Sequence, residues 1–296
     1  MGEKFLIINA DDFGMSHEFN CAIRDLLKNK NISTTSLMAN GLAFQEAVGI
    51  TSADNLQDVG VHLTLTRDAF DVDSPLIYEP LSDGKSLISN TGGLWQSSGE
   101  LKENAKFNEI VCEITMQIQK IINAGIDYSH IDNHMYSLMP RMGYEGYRAF
   151  FGGYRSITKR HKHIGFRMAK SFYDESGFNY IWSGRKIKPY INFNMKLLGL
   201  HGVDYCFAFP YYAEKFKTLE SKISLYNKFL MDLKDGVTEL HVHPCIYSEN
   251  LKKYNPTWQN RVHEYEMLKM FNSKRLKDEY GITLITYRDL IHKGMK

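Results

Sequence analysis

Apolar, strand-like segments alternate with helix-like segments along most of the chain, and this alternation limits the folds available to it. A short apolar run covers residues 5–9, and a helix with apolar residues at helical spacing follows Ser16, a suitable N-cap. Strands are predicted next at 34–38 and 58–65, with a helix at 44–50 between them. This order predicts a parallel sheet that helices cover.

The same rhythm resumes beyond residue 100. A long helix is predicted at 101–124, where Gly125 suits the position just after a helix end, and a strand is predicted at 128–132. Residues 141–177 are predicted to be helical in parts. The later predicted elements are helices near 191–200, 214–233, 258–279 and 287–292 and strands near 203–207, 237–242 and 282–285. About seven strand–helix units favour a closed or nearly closed barrel over an open sheet.

Length alone, at 296 residues, suggests roughly two domains of about 150 residues each. However, the sequence contains neither an internal repeat nor a Gly-Ser linker, and single α/β barrels often reach about 250 residues. We therefore expect one domain over 1–296 with a loop insertion at about 67–100, where prolines and glycines interrupt the pattern. Long loops of this kind are often functional.

Charge and hydropathy exclude several classes of partner. The 36 Lys and Arg and the 34 Asp and Glu residues are scattered and leave a net charge of +2, so we expect no nucleic acid or membrane partner. The longest apolar run, 5–10, is far shorter than a membrane-spanning helix of about 20 residues, and the N-terminus does not resemble a signal peptide. The absence of a C-x-x-C pair indicates reduced, mostly buried thiols in a cytoplasmic protein, namely Cys21, Cys112, Cys206 and Cys245.

Side chains that can bind metals stand at the ends of several apolar strands. Asp11 and Asp12 follow the first strand, His62 lies in the third, and His134 comes just after the fourth. His243 stands at the end of a late strand. In a parallel barrel the carboxyl ends of all strands face one way, so we expect these side chains to converge on one site.

One carboxylate and two histidines are a familiar catalytic ligand set for a divalent ion, and two imidazoles favour zinc over magnesium. Each residue also has another interpretation. The pair Asp11-Asp12 is also typical of a solvated turn that caps a helix, and His62 of a histidine buried in the core. His241 and His243 alternate on a strand and share a face, where one or both act as general acid or form a surface-facing pair.

Two other groups of residues are given no catalytic role. A basic cluster that includes His161, His163 and Arg167 is interpreted as the solvated face of a helix. Serine and cysteine nucleophiles are disfavoured, because the sequence has no G-x-S-x-G elbow and no cysteine with an evident histidine partner. The residues therefore favour chemistry at a bound divalent ion over a covalent nucleophile.

The ordered set of these segments resembles the YdjC-like carbohydrate deacetylases, the family that contains chitooligosaccharide deacetylase. The similar segments, in chain order, are Asn9-Ala-Asp11-Asp12-Phe13-Gly14, Thr34-Thr-Ser-Leu-Met-Ala-Asn40, Gly60-Val-His62-Leu-Thr-Leu-Thr66, His130-Ile-Asp132-Asn133-His134, Glu239-Leu-His-Val-His243-Pro244 and Asn255 with Arg261-x-x-Glu264. One departure follows His134, where family members commonly carry further histidines and this chain has Met135-Tyr136-Ser137-Leu138.

The resemblance implies a distorted, TIM-like (β/α) barrel of the polysaccharide-deacetylase type, an α/β fold with about seven parallel strands. It implies one divalent metal ion, Mg²⁺ or Zn²⁺, held by Asp12, His62 and His134. Asp11 would act as general base and His243 as general acid. By sequence alone, Asp11 and Asp12 could exchange their two roles.

The function that the resemblance implies is a metal-dependent hydrolase that removes an acetyl group from an N-acetylated sugar or oligosaccharide, with Arg261 orienting the base or binding substrate. A different metal-dependent hydrolase on the same barrel, an esterase or a phosphoesterase, is one alternative. A non-catalytic sugar-binding homologue is the other. The expected partner is a small carbohydrate, the expected location is cytoplasmic, and a homodimer is left open.

Overall fold

The computed structural model of the protein describes residues 2–67, 78–139, 141–157, 163–173, 179–180, 187–209 and 217–292. Its strands are β1 (Lys4–Phe13), β2 (Thr34–Leu37), β3 (Val59–Leu63), β4 (His130–Asn133), β5 (Ile164–Tyr173), β6 (Asn179–Tyr180), β7 (Leu200–Ala208), β8 (Gly236–Val242) and β9 (Ile282–Leu284). Its α-helices are α1 (His17–Lys28), α2 (Phe44–Ala53), α3 (Ser98–Asn104), α4 (Phe107–Asn123), α5 (Gly143–Ile157), α6 (Lys188–Leu198), α7 (Leu219–Met231), α8 (Glu249–Tyr254), α9 (Trp258–Lys269), α10 (Ser273–Tyr280) and α11 (Tyr287–His292). No helix in these ranges combines the length and the hydropathy that a bilayer crossing requires.

Seven of the described strands close into a parallel barrel. The ring runs β1, β2, β3, β4, β5, β7 and β8, and β8 pairs with β1 to complete it. Outside the ring, β9 pairs in parallel with β1 and β6 pairs antiparallel with β5. The α/β barrel expected from the resemblance is confirmed.

The ring is irregular where it closes at β1. β8 runs along one edge of β1 from Lys4 to Ala10. The other edge pairs with β9 at Lys4 to Leu6 and with β2 from Asn9 onward. Because a strand has only two edges for hydrogen bonding, β9 and β2 share this second edge in succession. β1 therefore pairs with both of its neighbours in the ring only from Asn9 onward, just before the acidic pair.

The ring has the seven strands expected from sequence, but one of its strands was not predicted and one predicted strand lies outside it. β5 falls in the segment predicted to be helical in parts, and the strand predicted at 282–285 lies outside the ring as β9. Arg167 of β5 is not on a solvated helix face but is 6% exposed. A charged residue in the middle of a strand interrupts the apolar run by which a buried strand is recognised. It can be buried only beside compensating partners, and these are distant in the sequence. His161 lies outside the described residues.

Two helices predicted as continuous are each broken in two. The helix predicted at 101–124 is α3 and α4, separated by the extended residues Ala105 and Lys106. The helix predicted at 258–279 is α9 and α10, and the Asn272 side chain caps α10 by accepting a hydrogen bond from the Arg275 backbone. At this second break local capping outweighs the continuous apolar period.

The described part of the segment 67–100 packs onto the barrel. The Leu94 backbone N–H donates to the Tyr78 carbonyl, and the Trp95 indole donates to the Ser86 carbonyl. Tyr78 is fully buried, with its ring centroid 6.2 Å from that of His134. Residues 68–77 lie outside the described ranges, so the loop insertion and the one-domain organisation stay predictions.

Candidate metal centre

The acidic pair lies where β1 ends, at the carboxyl rim of the barrel. Asp11 and Asp12 are both buried, the register of β1 against β2 shifts between Ala10 and Phe13, and Asp12 adopts a left-handed backbone with φ of 68°. Successive side chains of a regular strand point to opposite faces, whereas this bulge lets both carboxylates line the same cavity. A left-handed non-glycine residue costs about 1–3 kcal/mol, which the surrounding packing must offset.

Three side chains from separate parts of the chain meet at Asp12. Its Oδ1 lies 3.3 Å from His62 Nε2 and 3.1 Å from His134 Nδ1. One ligand atom from each residue lies within 4.8 Å of the others, and all three residues are at most 2% exposed. A desolvated carboxylate with two imidazoles fits a divalent ion, and three protein ligands leave coordination positions for water or substrate.

Asp132 holds the ring of His62 in place. Its Oδ1 lies 2.6 Å from His62 Nδ1, and its Oδ2 accepts a hydrogen bond from Ser36 at 2.8 Å. A carboxylate on one imidazole nitrogen fixes the tautomer and directs the other nitrogen, here Nε2, toward the ion. No role is predicted for Asp132 from sequence, although its place two residues before His134 is a signal that could have identified it.

Arg167 neutralises the carboxylates beside the three ligands. Its guanidinium forms a two-pronged ion pair with Asp11, both N···O distances being 2.6 Å, and lies 2.7 Å from Asp132 and 2.8 Å from Glu239. This permanent cation compensates the negative charges of Asp11 and Asp132 inside the barrel. No sequence signal identifies Arg167 as a site residue, since its partners come from three other strands.

The charges in this cluster shift the protonation of its members. Burial raises the pKa of Asp11, but the Arg167 guanidinium together with His62 and His243 outweighs burial and holds that pKa well below its usual range. Hydrogen bonds from the two histidines likewise outweigh burial and lower the pKa of Asp12. Burial alone would lower the pKa of His62, yet the carboxylates of Asp132 and Asp11 raise it to about 10. A metal ion must therefore displace a proton from His62.

His243 and Arg261 line the same cavity, which has a volume of about 180 Å³. His243 Nε2 lies 3.8 Å from Asp11 Oδ2, beyond hydrogen-bonding distance, and burial lowers the pKa of His243. Arg261 Nη1 lies 3.0 Å from Asp12 Oδ2. Arg261 thus contacts the carboxylate expected to hold the metal rather than the one expected to act as base.

A hydrogen-bonded tyrosine and histidine form another part of the cavity wall. Tyr136 Oη lies 3.0 Å from His241 Nε2, and Cys206 Sγ lies 3.5 Å from His241 Nδ1. Met135 and Tyr136 both have positive φ, 55° and 51°, directly after His134. Burial lowers the pKa of His241 to about 3, so its ring is neutral at pH 7. The alternative of a surface-facing pair is wrong for His241, which is 4% exposed.

Comparison with known proteins places the chain in a family. The model of the family described as YdjC-like protein matches residues 5–278. The chain belongs to the YdjC-like family. It is 26% identical to a carbohydrate deacetylase of Listeria monocytogenes serotype 4b over 291 residues, 96% of this chain and 99% of that relative. It is 34% identical to a carbohydrate deacetylase of Clostridium beijerinckii over 130 residues, 44% of this chain and 49% of that relative.

A solved structure shares the fold of this YdjC-like chain. It is the structure of a protein from Enterococcus faecalis V583 that is named as a candidate cellobiose-phosphate cleavage protein. The two align with a TM-score of 0.73 and 22% identity over 97% of this chain and 99% of the other. At this level of identity the similarity shows the barrel alone, and the chemistry of the site follows from the residues of this chain.

Proposed function

We propose that this YdjC-like protein is a metal-dependent carbohydrate deacetylase, which releases acetate from an N-acetylated sugar or oligosaccharide. The buried group of Asp12, His62 and His134, beside the ion-paired Asp11, is the observation that carries the proposal. The relatives named carbohydrate deacetylase support the substrate class. Such a centre suits amide hydrolysis, because it gathers a site for a cation, a carboxylate and an imidazole around one cavity.

Each residue has a distinct task in this proposal. When bound, a divalent ion held by Asp12, His62 and His134 would polarise the acetyl carbonyl and lower the pKa of the attacking water. Asp11 accepts a proton from that water as the water oxygen bonds to the acetyl carbon. His243 donates a proton to the sugar nitrogen as the C–N bond breaks, which leaves acetate and a free amine.

The resting protonation of Asp11 and His243 supports a proton relay between them. Arg167 keeps Asp11 ionised and makes it a weak base, so a proton accepted by Asp11 is readily passed on. His243 is neutral at pH 7, because burial lowers its pKa, and its Nε2 is 3.8 Å from the Asp11 carboxylate. In this relay the proton taken from water reaches the leaving amine through both groups.

Acetate release from N-acetylated chitooligosaccharides tests the proposal. Asp11→Asn should lower turnover by about 10²–10⁴-fold, the usual contribution of a general base, and His134→Ala should abolish it. Asp278→Asn is the matched control, because it removes an exposed carboxylate on α10 and should leave turnover unchanged. Unchanged turnover in both site variants would refute the proposal.

A substrate panel separates deacetylation from the alternatives. Acetyl amides, acetyl esters and phosphoesters are offered at equal metal loading, and we expect the amides of amino sugars to be turned over fastest. Preference for either ester class would replace the proposal with another hydrolase on this barrel. Sugar binding without any product after long incubation would favour the non-catalytic homologue.

We also propose that the ion is zinc rather than magnesium, because two imidazoles suit zinc better than magnesium, which prefers oxygen ligands. Metal analysis of protein purified without added metal tests this choice, and magnesium as the sole bound ion would contradict it. The cytoplasmic location stays a prediction from sequence. The homodimer stays a prediction, which light scattering tests.

A further inference from the structure

A second group of metal-capable side chains lies outside the barrel, between α1 and α2. His17 is the first residue of α1 and Cys21 follows one turn later, so the two side chains share a face of the helix. Glu46 of α2 contacts the same histidine, Oε1 lying 2.6 Å from His17 Nδ1. From sequence, no cysteine is expected to have a histidine partner, and for Cys21 this is wrong, because its Sγ lies 3.3 Å from His17 Nε2.

We propose that His17, Cys21 and Glu46 form a second metal site, which takes zinc or a similar divalent ion that accepts sulfur, nitrogen and oxygen ligands. One atom from each residue lies within 4.8 Å of the others. Bonds of about 2.0–2.3 Å around a tetrahedral zinc ion separate the ligand atoms by roughly 3.4–3.6 Å. His17 Nδ1 is the nitrogen that both partners approach, Cys21 Sγ at 3.9 Å and Glu46 Oε1 at 2.6 Å, and rotation of the exposed His17 side chain can bring both distances into this range.

Neighbouring contacts hold the two helices in the geometry that the site needs. Asn20 donates one hydrogen bond to Glu46 Oε2 at 2.8 Å and another to the Ala43 carbonyl at 3.2 Å. One turn further along α1, Arg24 forms a two-pronged ion pair with Asp54, with distances of 2.6 and 2.9 Å. A carboxylate that is oriented by a second partner is a better metal ligand than a freely rotating one.

The donor set distinguishes this surface site from the centre in the barrel. A thiolate, an imidazole and a carboxylate suit zinc or cobalt and disfavour magnesium, whereas the centre around Asp12 has no sulfur ligand. A thiol must lose its proton before its sulfur can bind an ion as a thiolate. When filled, the site would join α1 to α2 and stabilise the folded chain.

Cobalt substitution tests the site through a signal that the barrel centre lacks. A thiolate bound to Co²⁺ gives a charge-transfer band in the near ultraviolet, and we expect it in the wild-type protein saturated with Co²⁺. Cys21→Ser should abolish the band. Cys112→Ser is the matched control, because it removes an exposed thiol elsewhere and should leave the band unchanged. A wild-type protein without the band, or a band that persists in Cys21→Ser, would overturn the proposal.

Zinc titration gives an independent measurement that does not depend on the proposed deacetylase activity. Wild-type protein should bind two zinc ions, one at each site, and His17→Ala and Glu46→Gln should each weaken one of the two by about tenfold or more. Both substitutions lie on the helix surface outside the barrel centre, so acetate release should not change. Equal zinc affinities in wild type and both variants would contradict the surface site while leaving the proposed function intact.

Discussion

Arg167 shows how strongly a single residue can determine the stability of this protein. Buried inside the barrel, it faces the carboxylates of Asp11, Asp132 and Glu239. Removing one partner of a buried ionic network leaves the other charges uncompensated, at a cost of about 3–5 kcal/mol. We therefore expect Arg167→Met to lower the free energy of unfolding by about 3–5 kcal/mol in urea denaturation.

Arg148→Met is the matched control for this prediction. Arg148 pairs with Glu145 on the exposed surface of α5, where an ion pair contributes at most about 1 kcal/mol. Arg167→Lys keeps the positive charge but loses the two-pronged fit to Asp11, so its loss of stability should be intermediate. Equal losses in Arg167→Met and Arg148→Met would show that the buried network contributes no more than a surface pair.

His130 gives the protein a predictable sensitivity to acid. Burial lowers its pKa to about 3, while the unfolded chain has an ordinary histidine pKa of about 6.5. Its stabilising contribution is therefore complete above pH 6.5 and is lost as the pH falls toward 3, because the unfolded state binds the proton first. The loss reaches about 1.4 kcal/mol per pH unit.

The slope of stability with pH measures this effect. We expect the free energy of unfolding of His130→Gln to fall less steeply between pH 6.5 and pH 4.5 than that of the wild type, because the variant lacks the titrating ring. Comparing slopes cancels the constant packing loss caused by the substitution. Parallel slopes in the two proteins would mean that His130 takes up its proton at nearly the same pH in the folded and the unfolded states, which would contradict the prediction.

Among the elements, β5 depends on the close approach of α11. A Cβ atom on Gly165 of β5 would lie 2.0 Å from the ring of Tyr287, the first residue of α11. That ring stacks on His130 at 4.2 Å, and its hydroxyl donates to Glu239 at 2.5 Å. A glycine at this position therefore lets α11 cover β5 and reach the charged interior of the barrel.

Substituting this glycine should disturb the packing. We expect Gly165→Ala to lower the free energy of unfolding by about 1–3 kcal/mol, as overpacking in a core does. Gly49→Ala in α2 is the control: no atom lies within 4 Å of the added Cβ, and the change should stabilise the protein by about 0.4–1 kcal/mol. Thermal unfolding of both variants tests the prediction, and a Gly165→Ala variant as stable as the wild type would contradict it.

At the scale of the whole molecule, the barrel makes one site from residues that are far apart in the chain. Asp12 comes from β1, His62 from β3 and His134 from the turn after β4. An ion that binds all three in the folded chain and few of them in the unfolded chain stabilises the fold by about 2.7 kcal/mol at a hundredfold excess over its Kd. Metal binding and folding should therefore be coupled.

Metal removal tests this coupling. In a Cys21→Ser background, which excludes the surface site, we expect a chelator to lower the melting temperature by about 5–10 °C. Adding His134→Ala should remove most of this shift, because the ion then lacks one of its ligands. A chelator effect of equal size with and without His134 would place the stabilising ion elsewhere in the chain.

The class of fold and the main members of the candidate site could be predicted from the amino-acid sequence. The spacing of apolar residues identifies each strand or helix within a short stretch of sequence. The alternation of these elements along the chain was then sufficient to predict a parallel barrel. Polar residues that follow the apolar strands of such a barrel all lie at the same rim, the one formed by the carboxyl ends of the strands. This is why one carboxylate of the Asp11-Asp12 pair, His62 and His134 could be grouped before their contacts were known. The resemblance to the YdjC-like deacetylases then assigned the ligand role to Asp12, and these roles stay proposals.

The burial of particular charges and the choice of strands that close the ring depend on contacts that form only in the folded chain. Arg167 looks solvated in any short window, because the three carboxylates that compensate it stand on β1, β4 and β8. The contact between Arg261 and Asp12, and the approach of Glu46 to His17, likewise join different elements. A charge can be buried only where the fold brings compensating partners next to it. A sequence pattern shows the charged residue but not these partners.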